Sequence, residues 1–322
     1  MPDEYHTSLV SVIIVNFNGR KFLQDCLSSL LRQSYSPFEV ILVDNASHDG
    51  SVEFVRKHFP QVRILVEKAN LGFAGGSNAG IREAHGEFIL TLNNDTITDP
   101  RFIENLVRPM TSDSHLGMCA SKMLFPDGRI NSTGICISRS GAAWDRGIFE
   151  QNSGQYDNED EVFGPCAGAA LYRRAMLDEI GLFDEDFFIY MEDVDLAFRA
   201  RLAGWECRFI PTAEVIHIMG GSSGIHSDLS VFYGNRNLLW NAIKNFPIRT
   251  LLISLPWIIG RNCADIPYYF SKGKGLIILK AKISAIGGTI GMVRKRKALT
   301  IKVREEQIRK WIQVWMRISK PD

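Results

Sequence analysis

The sequence has no CxxC pair and no Cys/His knuckle. Its six cysteines (26, 119, 136, 166, 207 and 263) lie far apart. Neither a zinc module nor a disulfide scaffold is indicated, and the cysteines read as buried free thiols of a reducing compartment. The glycines carry no triplet period, which excludes a collagen-like chain. Long uninterrupted apolar runs are missing as well. Thr250–Gly260 is short and interrupted by Pro256, and Gly275–Val293 is diluted by Lys280, Lys282 and its glycines. No segment is therefore a clear membrane span. Residues 1–8 are polar and the first apolar run, Leu9–Val15, is short, so no signal peptide is expected. Gly72, Gly75, Gly76 and Gly80 lack the spacing of a dinucleotide fingerprint, and no Walker lysine follows them. Nicotinamide and P-loop sites are disfavoured accordingly.

What remains is an ordinary globular balance. The 322 residues are 45% hydrophobic and 23% charged, enough for one large α/β domain with an extension or for two modest domains. Disorder is ruled out for most of the chain. The net charge of +1 conceals an asymmetry. Residues 1–240 carry 20 Lys and Arg against 32 Asp and Glu, a balance of −12, whereas residues 241–322 carry 17 against 4, a balance of +13. An acidic body joined to a basic tail suggests that the tail meets something anionic.

The first hundred residues alternate strand-like and helix-like segments. Leu9–Val15, Phe38–Val43, Val62–Val66 and Phe88–Leu92 are β-branched or apolar runs. Between them lie helical patterns over Phe22–Leu31, Ser51–His58 and Asn78–Ala84. The alternation predicts an α/β domain with a Rossmann-like, mostly parallel central sheet and helices on both faces. Short strands and turns are expected over 116–172, with a loop over Ser138–Asp160. Helices are expected over Leu171–Ile180, Glu192–Ala203 and Val231–Asn245, and two short strands at Phe209–Ile210 and Val215–Ile218. Gly220–Asp228 reads as a Gly/Ser-rich loop. Ligands of open α/β sheets bind at the carboxyl ends of strands. Asn16, Asp44 and Asp95 all fall just past such ends, so three strands deliver polar groups to one edge.

Each candidate group has a chemical reading and a structural one. Asp44 with Asn45 can accept from a ribose or a base, or can cap a turn. Asn70–Gly80 can bring backbone N–H groups close to a ligand, or can be a Gly-rich turn packed on the sheet. Asp95, after Asn93 and Asn94, offers an oxygen ligand to Mg2+ or Mn2+, provided a phosphate and a second protein group assist. Glu192, Asp193 and Asp195 open a helix, where acids are favoured by the helix dipole; Asp195 and Arg199 are four apart and can pair. Glu192 or Asp193 can instead take a proton from an alcohol. His217 follows an apolar strand and becomes a metal ligand only if Asp95 lies beside it. Arg236 suits a diphosphate or a helix surface.

Taken in order, these motifs resemble an inverting glycosyltransferase of family 2 with the GT-A fold. The resemblance spans roughly residues 8–240. It rests on Ser11–Gly19, Val43–Ser47, Asn70–Gly80, Asn93-Asn94-Asp95, Gly181–Glu185 leading to Glu192–Leu196, and His217. The wording of the motifs is similar to the bacterial rhamnosyltransferase-like branch. The resemblance implies a nucleotide-sugar site drawn from Asn16, Asp44, Asn45, Gly72, Gly75, Asn78, Asn94, Asp95 and Arg236. It implies Asp193 as general base, Glu192 and Trp205 as acceptor-side or catalytic support, and Asp95 with His217 as holders of Mg2+ or Mn2+. Asn93 stands where the family usually has the first Asp of its DxD motif. The implied reaction moves a sugar, rhamnose from dTDP-rhamnose as first choice, to a hydroxyl of a glycan or lipid-linked acceptor. A UDP-hexose or UDP-galactofuranose donor, a nucleotidyltransferase and a non-catalytic binding protein are the alternatives.

Residues 241–322 read as a separate basic, amphipathic helical extension. Leu276, Leu279, Ile283, Ile286, Ile290 and Val293 form one stripe, followed by Arg294–Lys297. Ile308, Trp311, Ile312, Trp315 and Met316 form another. Such helices can lie on an anionic membrane, with Trp311 and Trp315 as anchors, or can pack on the catalytic domain or in a homodimer. A cytoplasmic protein, peripheral on the inner face of the membrane, is the expectation. Nucleic acid is not an expected partner, because the aromatics sit on the apolar stripes and are not interleaved with the basic residues.

Overall fold

The computed structural model describes residues 8–218 and 227–314. The chain opens with β1 (Val10–Asn16), α1 (Arg20–Leu30), β2 (Phe38–Asp44), α2 (Ser51–His58), β3 (Arg63–Val66), α3 (Gly72–Glu83) and β4 (Phe88–Asn93). It continues through β5 (Thr96–Thr98), α4 (Phe102–Ser112), β6 (Leu116–Leu124), β7 (Ile130–Ser132), β8 (Ile135–Ser138), β9 (Ala143–Asp145), β10 (Asp160–Glu161), β11 (Ala169–Arg173) and α5 (Arg174–Ile180). Then come α6 (Glu192–Leu202), β12 (Glu206–His217), α7 (Asp228–Asn245), α8 (Ile248–Ser271), α9 (Gly275–Arg296), α10 (Glu305–Arg309) and β13 (Ile312–Gln313).

The main sheet runs in the order β10-β12-β6-β11-β4-β1-β2-β3. β1, β2, β3 and β4 pair in parallel, as do β6 and β12, while β11 lies antiparallel between β4 and β6. The β-branched interior of β1 is buried on both faces, because one hydrophobic layer lies on each side of the sheet. On one side Leu23, Leu27, Val55, Phe102 and Leu106 bring in α1, α2 and α4. On the other, Ala74, Ile81, Met176, Leu196 and Phe198 bring in α3, α5 and α6.

Several expectations change. The Gly-rich stretch is helical from Gly72 onward. A Cβ at Gly76 or Gly80 would fall 2.8 Å from Val15 or 2.5 Å from Ile13, so these glycines let α3 approach β1 closely. Leu171–Arg173 belong to β11 and only the remainder to α5. The two strands expected near 210 and 216 are one, irregular against β6 between Ile210 and Glu214. Ala143–Asp145, expected in a loop, forms β9 of a small sheet with β8 and β13. Pro256 does not end the apolar run: α8 extends over 24 residues with Pro256 and Pro267 inside it. The stretch expected as Gly/Ser loop lies, through residue 226, outside the described residues.

The expected boundary at residue 240 falls within α7, which joins the two parts. Trp240 donates to the Ala285 carbonyl of α9 at 2.9 Å, and Gly288 leaves room for its indole. The second tail stripe packs inward: Ile308 and Ile312 are buried. Trp311 lies edge-on to Phe163 and under the Arg201 guanidinium, so it is not a membrane anchor. Trp315 and Met316 lie outside the described residues. The first stripe behaves differently, with Leu276, Ile283, Ile286 and Ile290 66–74% exposed. By length and composition α9 is also apolar enough to cross a membrane.

A buried charge cluster ties α6 to this extension. Asp195 is completely buried; Arg199 reaches one of its oxygens at 2.8 Å and Lys244 the other at 2.6 Å. Asn245 adds a hydrogen bond of 2.8 Å. Lys244 also pairs with Asp184, which Lys295 of α9 contacts in turn. Burial pushes the Asp195 carboxyl up, but Arg199 and Lys244 outweigh it and hold the group at about 2. Its folded value lies below its ordinary value of 3.8, so its stabilisation is present above pH 4 and fades as pH falls towards 2. Replacing Asp195 by Ala strands two buried cations and is expected to cost about 3 kcal/mol or more near neutral pH. Urea unfolding at pH 7 and at pH 2.5 measures this. A deficit under 1 kcal/mol at pH 7, or one unchanged at pH 2.5, would refute the assignment.

Candidate active site

The carboxyl ends of β1, β2 and β4 lie side by side, because Asn16 is in register with Asp44 and Val15 with Asn93. A chain of amides runs across this edge. Asn94 donates to Asn16 Oδ1 at 2.7 Å, and Asn16 Nδ2 donates to Asp44 Oδ2 at 3.0 Å. The other Asp44 oxygen accepts from the Ser47 backbone at 2.9 Å. Asn45 donates to the Gly72 carbonyl, and its Oδ1 is buried with no hydrogen-bond partner. An unpaired buried acceptor is costly, so a ligand N–H or O–H would be welcome there.

Three expected donor-binding residues have packing duties. Gly72 has φ of +70°, and a Cβ on it would fall 2.3 Å from the Phe188 carbonyl. A Cβ at Gly75 would meet the Leu71 side chain. The N–H groups of Gly72 and Ala74 are accepted by Asn70 and by Phe188 O, so this helix start spends them on protein groups. Asn78 clamps both backbone groups of Phe183 and reaches Glu185.

Asp95 and His217 do meet. β5 and β12 pair antiparallel with His217 opposite Thr96, which places His217 Nε2 3.2 Å from Asp95 Oδ1. The second ring nitrogen, Nδ1, lies 3.0 Å from Asn131 Oδ1. An acceptor at Nδ1 fixes the proton there in the neutral ring and turns the Nε2 lone pair toward Asp95. Asn93 Nδ2 lies 3.3 Å from the same Nε2. A carboxylate oxygen and an imidazole lone pair facing one another, with the ring oriented from behind, suit a divalent cation. Among the described residues no cluster of three His, Cys, Asp or Glu could hold a metal. The remaining ligands would come from phosphate and water. Asn131, on β7, had no sequence signal: only the pairing of β7 with β6 brings it here.

Asp193 opens α6 after a strained approach. Phe188, Tyr190 and Met191 all have positive φ, a costly state for such side chains. Asn237 holds that backbone, donating to the carbonyls of Phe187, Ile189 and Tyr190 at 2.7–3.0 Å. Arg236 donates to the carbonyls of Asp186 and Phe187 and stacks on Trp240 and Tyr233. Arg236 thus positions the segment before Asp193 through Nε and Nη2, two of its three nitrogens. The Asp193 carboxylate accepts from Val194 N at 2.8 Å and Ala167 N at 3.3 Å. Burial raises the carboxyl group of Asp193 above its ordinary range, and burial together with Asp193 raises Glu192 further. Glu192 Oε2 is buried and unpartnered.

One carboxylate escaped the sequence reading. Asp145, at the end of β9, accepts hydrogen bonds from Ser132 and Cys166 and feels the charges of Asp193 and His217. Burial pushes it up to about 6. Strand β9 was expected as loop, so nothing local marked it. Trp205 is a correction in the other direction. It precedes β12, whose far end carries His217, and it packs on Gly117 while donating to Glu179. It therefore lies at the edge opposite the site.

The chain is similar to known proteins in sequence and in fold. The sequence model of glycosyl transferase family 2 matches residues 11–181. A Mycobacterium tuberculosis N-acetylglucosaminyl-diphospho-decaprenol L-rhamnosyltransferase is 27% identical over 266 residues, covering 73% of this chain and 87% of its own. Among solved structures, GalNAc-T7 with UDP, GalNAc and Mn2+ superposes with a TM-score of 0.60 at 16% identity, over 75% of this chain and 48% of its own. The mannosyltransferase PcManGT from Pyrobaculum calidifontis, with GDP-Man and Mn2+, gives 0.56 at 16% identity over 89% of both chains. These likenesses establish a GT-A type α/β fold with a helical C-terminal extension. With more than half of its residues matched by the family's sequence model, and with its polar strand ends gathered at one edge, the chain belongs to glycosyl transferase family 2.

Proposed function

We propose that this chain is a metal-dependent, inverting glycosyltransferase that moves a sugar from a nucleoside diphosphate to a hydroxyl of a lipid-linked or glycan acceptor. The observation that carries the reading is the meeting of Asp95 and His217 at 3.2 Å, near a carboxylate pair headed by Asp193. Rhamnose from dTDP-rhamnose is the donor of first choice, supported by the name of the mycobacterial relative; UDP-linked hexose or galactofuranose are the alternatives.

In this reading Asp193 removes the proton of the acceptor hydroxyl as its oxygen attacks the anomeric carbon. The bond from that carbon to the diphosphate breaks on the opposite face, which inverts the centre. The nucleoside diphosphate leaves with the bonding electrons. Asp95 and His217 would hold Mg2+ or Mn2+, whose charge would offset that on the departing diphosphate. Asn45, with its unpaired oxygen, is the donor-side acceptor, and Asn16, Asp44 and Asn94 keep the strand ends in register around it. Asp145, within electrostatic influence of Asp193 and His217, would complete the acceptor side with Glu192.

Replacing Asp193 by Asn keeps its shape and removes its basicity. Turnover is expected to fall about a hundredfold or more while donor binding survives. The elevated carboxyl value adds a sign: wild-type kcat/KM should decline as pH falls, with a midpoint above the ordinary aspartate range. Normal turnover in the variant would reject the base. Free nucleoside diphosphate as the product supports glycosyl transfer, whereas pyrophosphate would indicate nucleotidyl transfer.

A chelator should abolish activity, with Mg2+ or Mn2+ restoring it. Asp95→Ala and His217→Ala should each raise the metal concentration needed for donor binding, by about tenfold or more. Full activity in the chelated enzyme would overturn the metal assignment.

The same proposal places the enzyme on an anionic, cytoplasmic membrane surface through residues 241–322. Support comes from the exposed stripe of α9 and from a second on α8, where Ile248, Leu252, Leu255 and Ile259 are solvent-exposed. Arg249, Lys280, Arg294 and Lys297 are exposed on the same two helices and the residue that follows. The basic excess is smaller at the surface than in the sequence, because Lys244, Lys282 and Lys295 are spent on internal pairs. Co-sedimentation should favour anionic over neutral vesicles, weaken with salt, and fall when Ile283 and Ile286 become Ser. Equal recovery in solution under every lipid condition would refute it.

A further inference from the structure

The β8–β9 hairpin connects the polar edge that carries the candidate site to a cleft lined by no residue assigned a role above. The cleft has a volume of about 640 Å³, within the roughly 300–1,000 Å³ range of small-molecule sites. Pro256, Trp257, Gly260 and Ala264 of α8 form one wall, and Ser138, Ser140 and Val314 line the rest with Arg261. Its apolar wall continues directly into the outward side of α8, where Ile253 and Ile259 are exposed. One cation stands at its rim: Arg139 stacks on Trp257 at 5.0 Å, and no carboxylate among the described residues pairs with it. The second rim cation, Arg261, is shared with Asp265 at 2.9 Å.

The hairpin also joins the cleft to the polar edge. Ser140 lies at its tip, lining the cleft, and Asp145 ends its second strand, hydrogen-bonded to Cys166 and within electrostatic influence of Asp193 and His217. The chain turns at Gly141 and then runs extended over Ala143–Asp145, so β9 leads from the cleft toward the edge that carries Asp193. A molecule with a hydrocarbon chain in the cleft and phosphate at Arg139 would have its phosphate at the end of the hairpin whose other end is Asp145. A water-soluble glycan needs no such cleft.

We propose that the cleft between α8 and the tip of the β8–β9 hairpin binds the hydrocarbon chain of a polyprenyl-phosphate-type acceptor, with Arg139 receiving its phosphate. This rests on the glycosyl-transfer reading and specifies the acceptor class of the same site. Apolar walls, a rim guanidinium that no carboxylate among the described residues pairs with, and continuity with an exposed apolar helix face are complementary to an anionic lipid.

The test uses the full chain without vesicles and titrates farnesyl phosphate by calorimetry, with dihexanoyl-phosphatidylglycerol as a bilayer-lipid control. Gly260 is well suited to substitution, because no heavy atom lies within 4 Å of a Cβ built there. Gly260→Phe should fill the cleft and weaken farnesyl phosphate binding at least tenfold, while nucleoside diphosphate binding and the thermal midpoint stay put. Arg139→Gln should weaken binding severalfold and flatten its salt dependence. Ala264→Leu serves as a second blocking variant should Gly260→Phe fail to fold. No binding by the wild type, equal binding by the blocked variants, or tighter binding of phosphatidylglycerol would each overturn the proposal. So would a dimer that Gly260→Phe dissociates, since the cleft would then hold a second copy. The readout is independent of turnover. Sugar transfer to a soluble acceptor without farnesyl phosphate binding removes only the cleft; farnesyl phosphate binding without donor turnover removes only the transfer reading.

Discussion

Asp195 is a carboxylate with no exposed surface, and three elements converge on it. Its own helix supplies Arg199, α7 supplies Lys244 and Asn245, and Asp184 extends the cluster to Lys295 on α9. Arg199 also caps the carbonyls of Ile180, Gly181 and Leu182. A charge removed from water this completely is tolerable only when its partners are fixed. The requirement runs both ways, so the start of α6 cannot shift without exposing unpaired cations. Asp193 lies two residues away from Asp195. The carboxylate proposed as the base is therefore held in place by a neighbouring ion cluster.

The segment before Asp193 shows the same logic at backbone level. Phe188, Tyr190 and Met191 accept unfavourable dihedral angles, and the freed carbonyls are collected by Asn237, Arg236 and Asn241 of α7. Phe188 then stacks on Tyr233 at 5.0 Å, while its carbonyl faces Gly72 and receives the Ala74 N–H. The start of α3, the strained turn and α7 form one packed unit around the opening of α6. Such rigidity suits the proposed single-step displacement, in which a base must already face the hydroxyl when the leaving group departs.

The C-terminal helices divide their duties by face. The inner side of α9 receives Trp240 through a gap left by Gly288, and Lys282 is enclosed by Asn262 and Asp265 of α8. The outer sides of both helices remain apolar and exposed. Neither face would make sense alone: the inner one anchors the extension to the catalytic body, which gives the outer one a fixed orientation relative to the cleft.

Much of the fold was legible in the chain itself. The β-branched runs of β1, β2 and β4 and the spacing of apolar residues in α1, α2 and α7 specified elements locally, because burial on two faces or on one stripe imposes its own period. Polar residues ending β1, β2 and β4 were visible for the same reason, and so was the pairing of Asp195 with Arg199 within one turn. Where sequence reading faltered, the deciding contacts were long-range. β9 became a strand only through β8, so Asp145 was invisible as a site residue. Asn131 reaches His217 across 86 positions. Arg236 became a clamp, and Asn78 and Gly72 packing elements, because the 183–191 segment folds against them. Trp205 lay near in sequence to the acidic helix yet was carried to the far edge by the length of β12. Periodicity and strand-end chemistry were thus determined by the sequence; which polar groups are spent on packing and which are left for a ligand was decided by tertiary pairing, since hydrogen bonds between distant residues leave no local pattern.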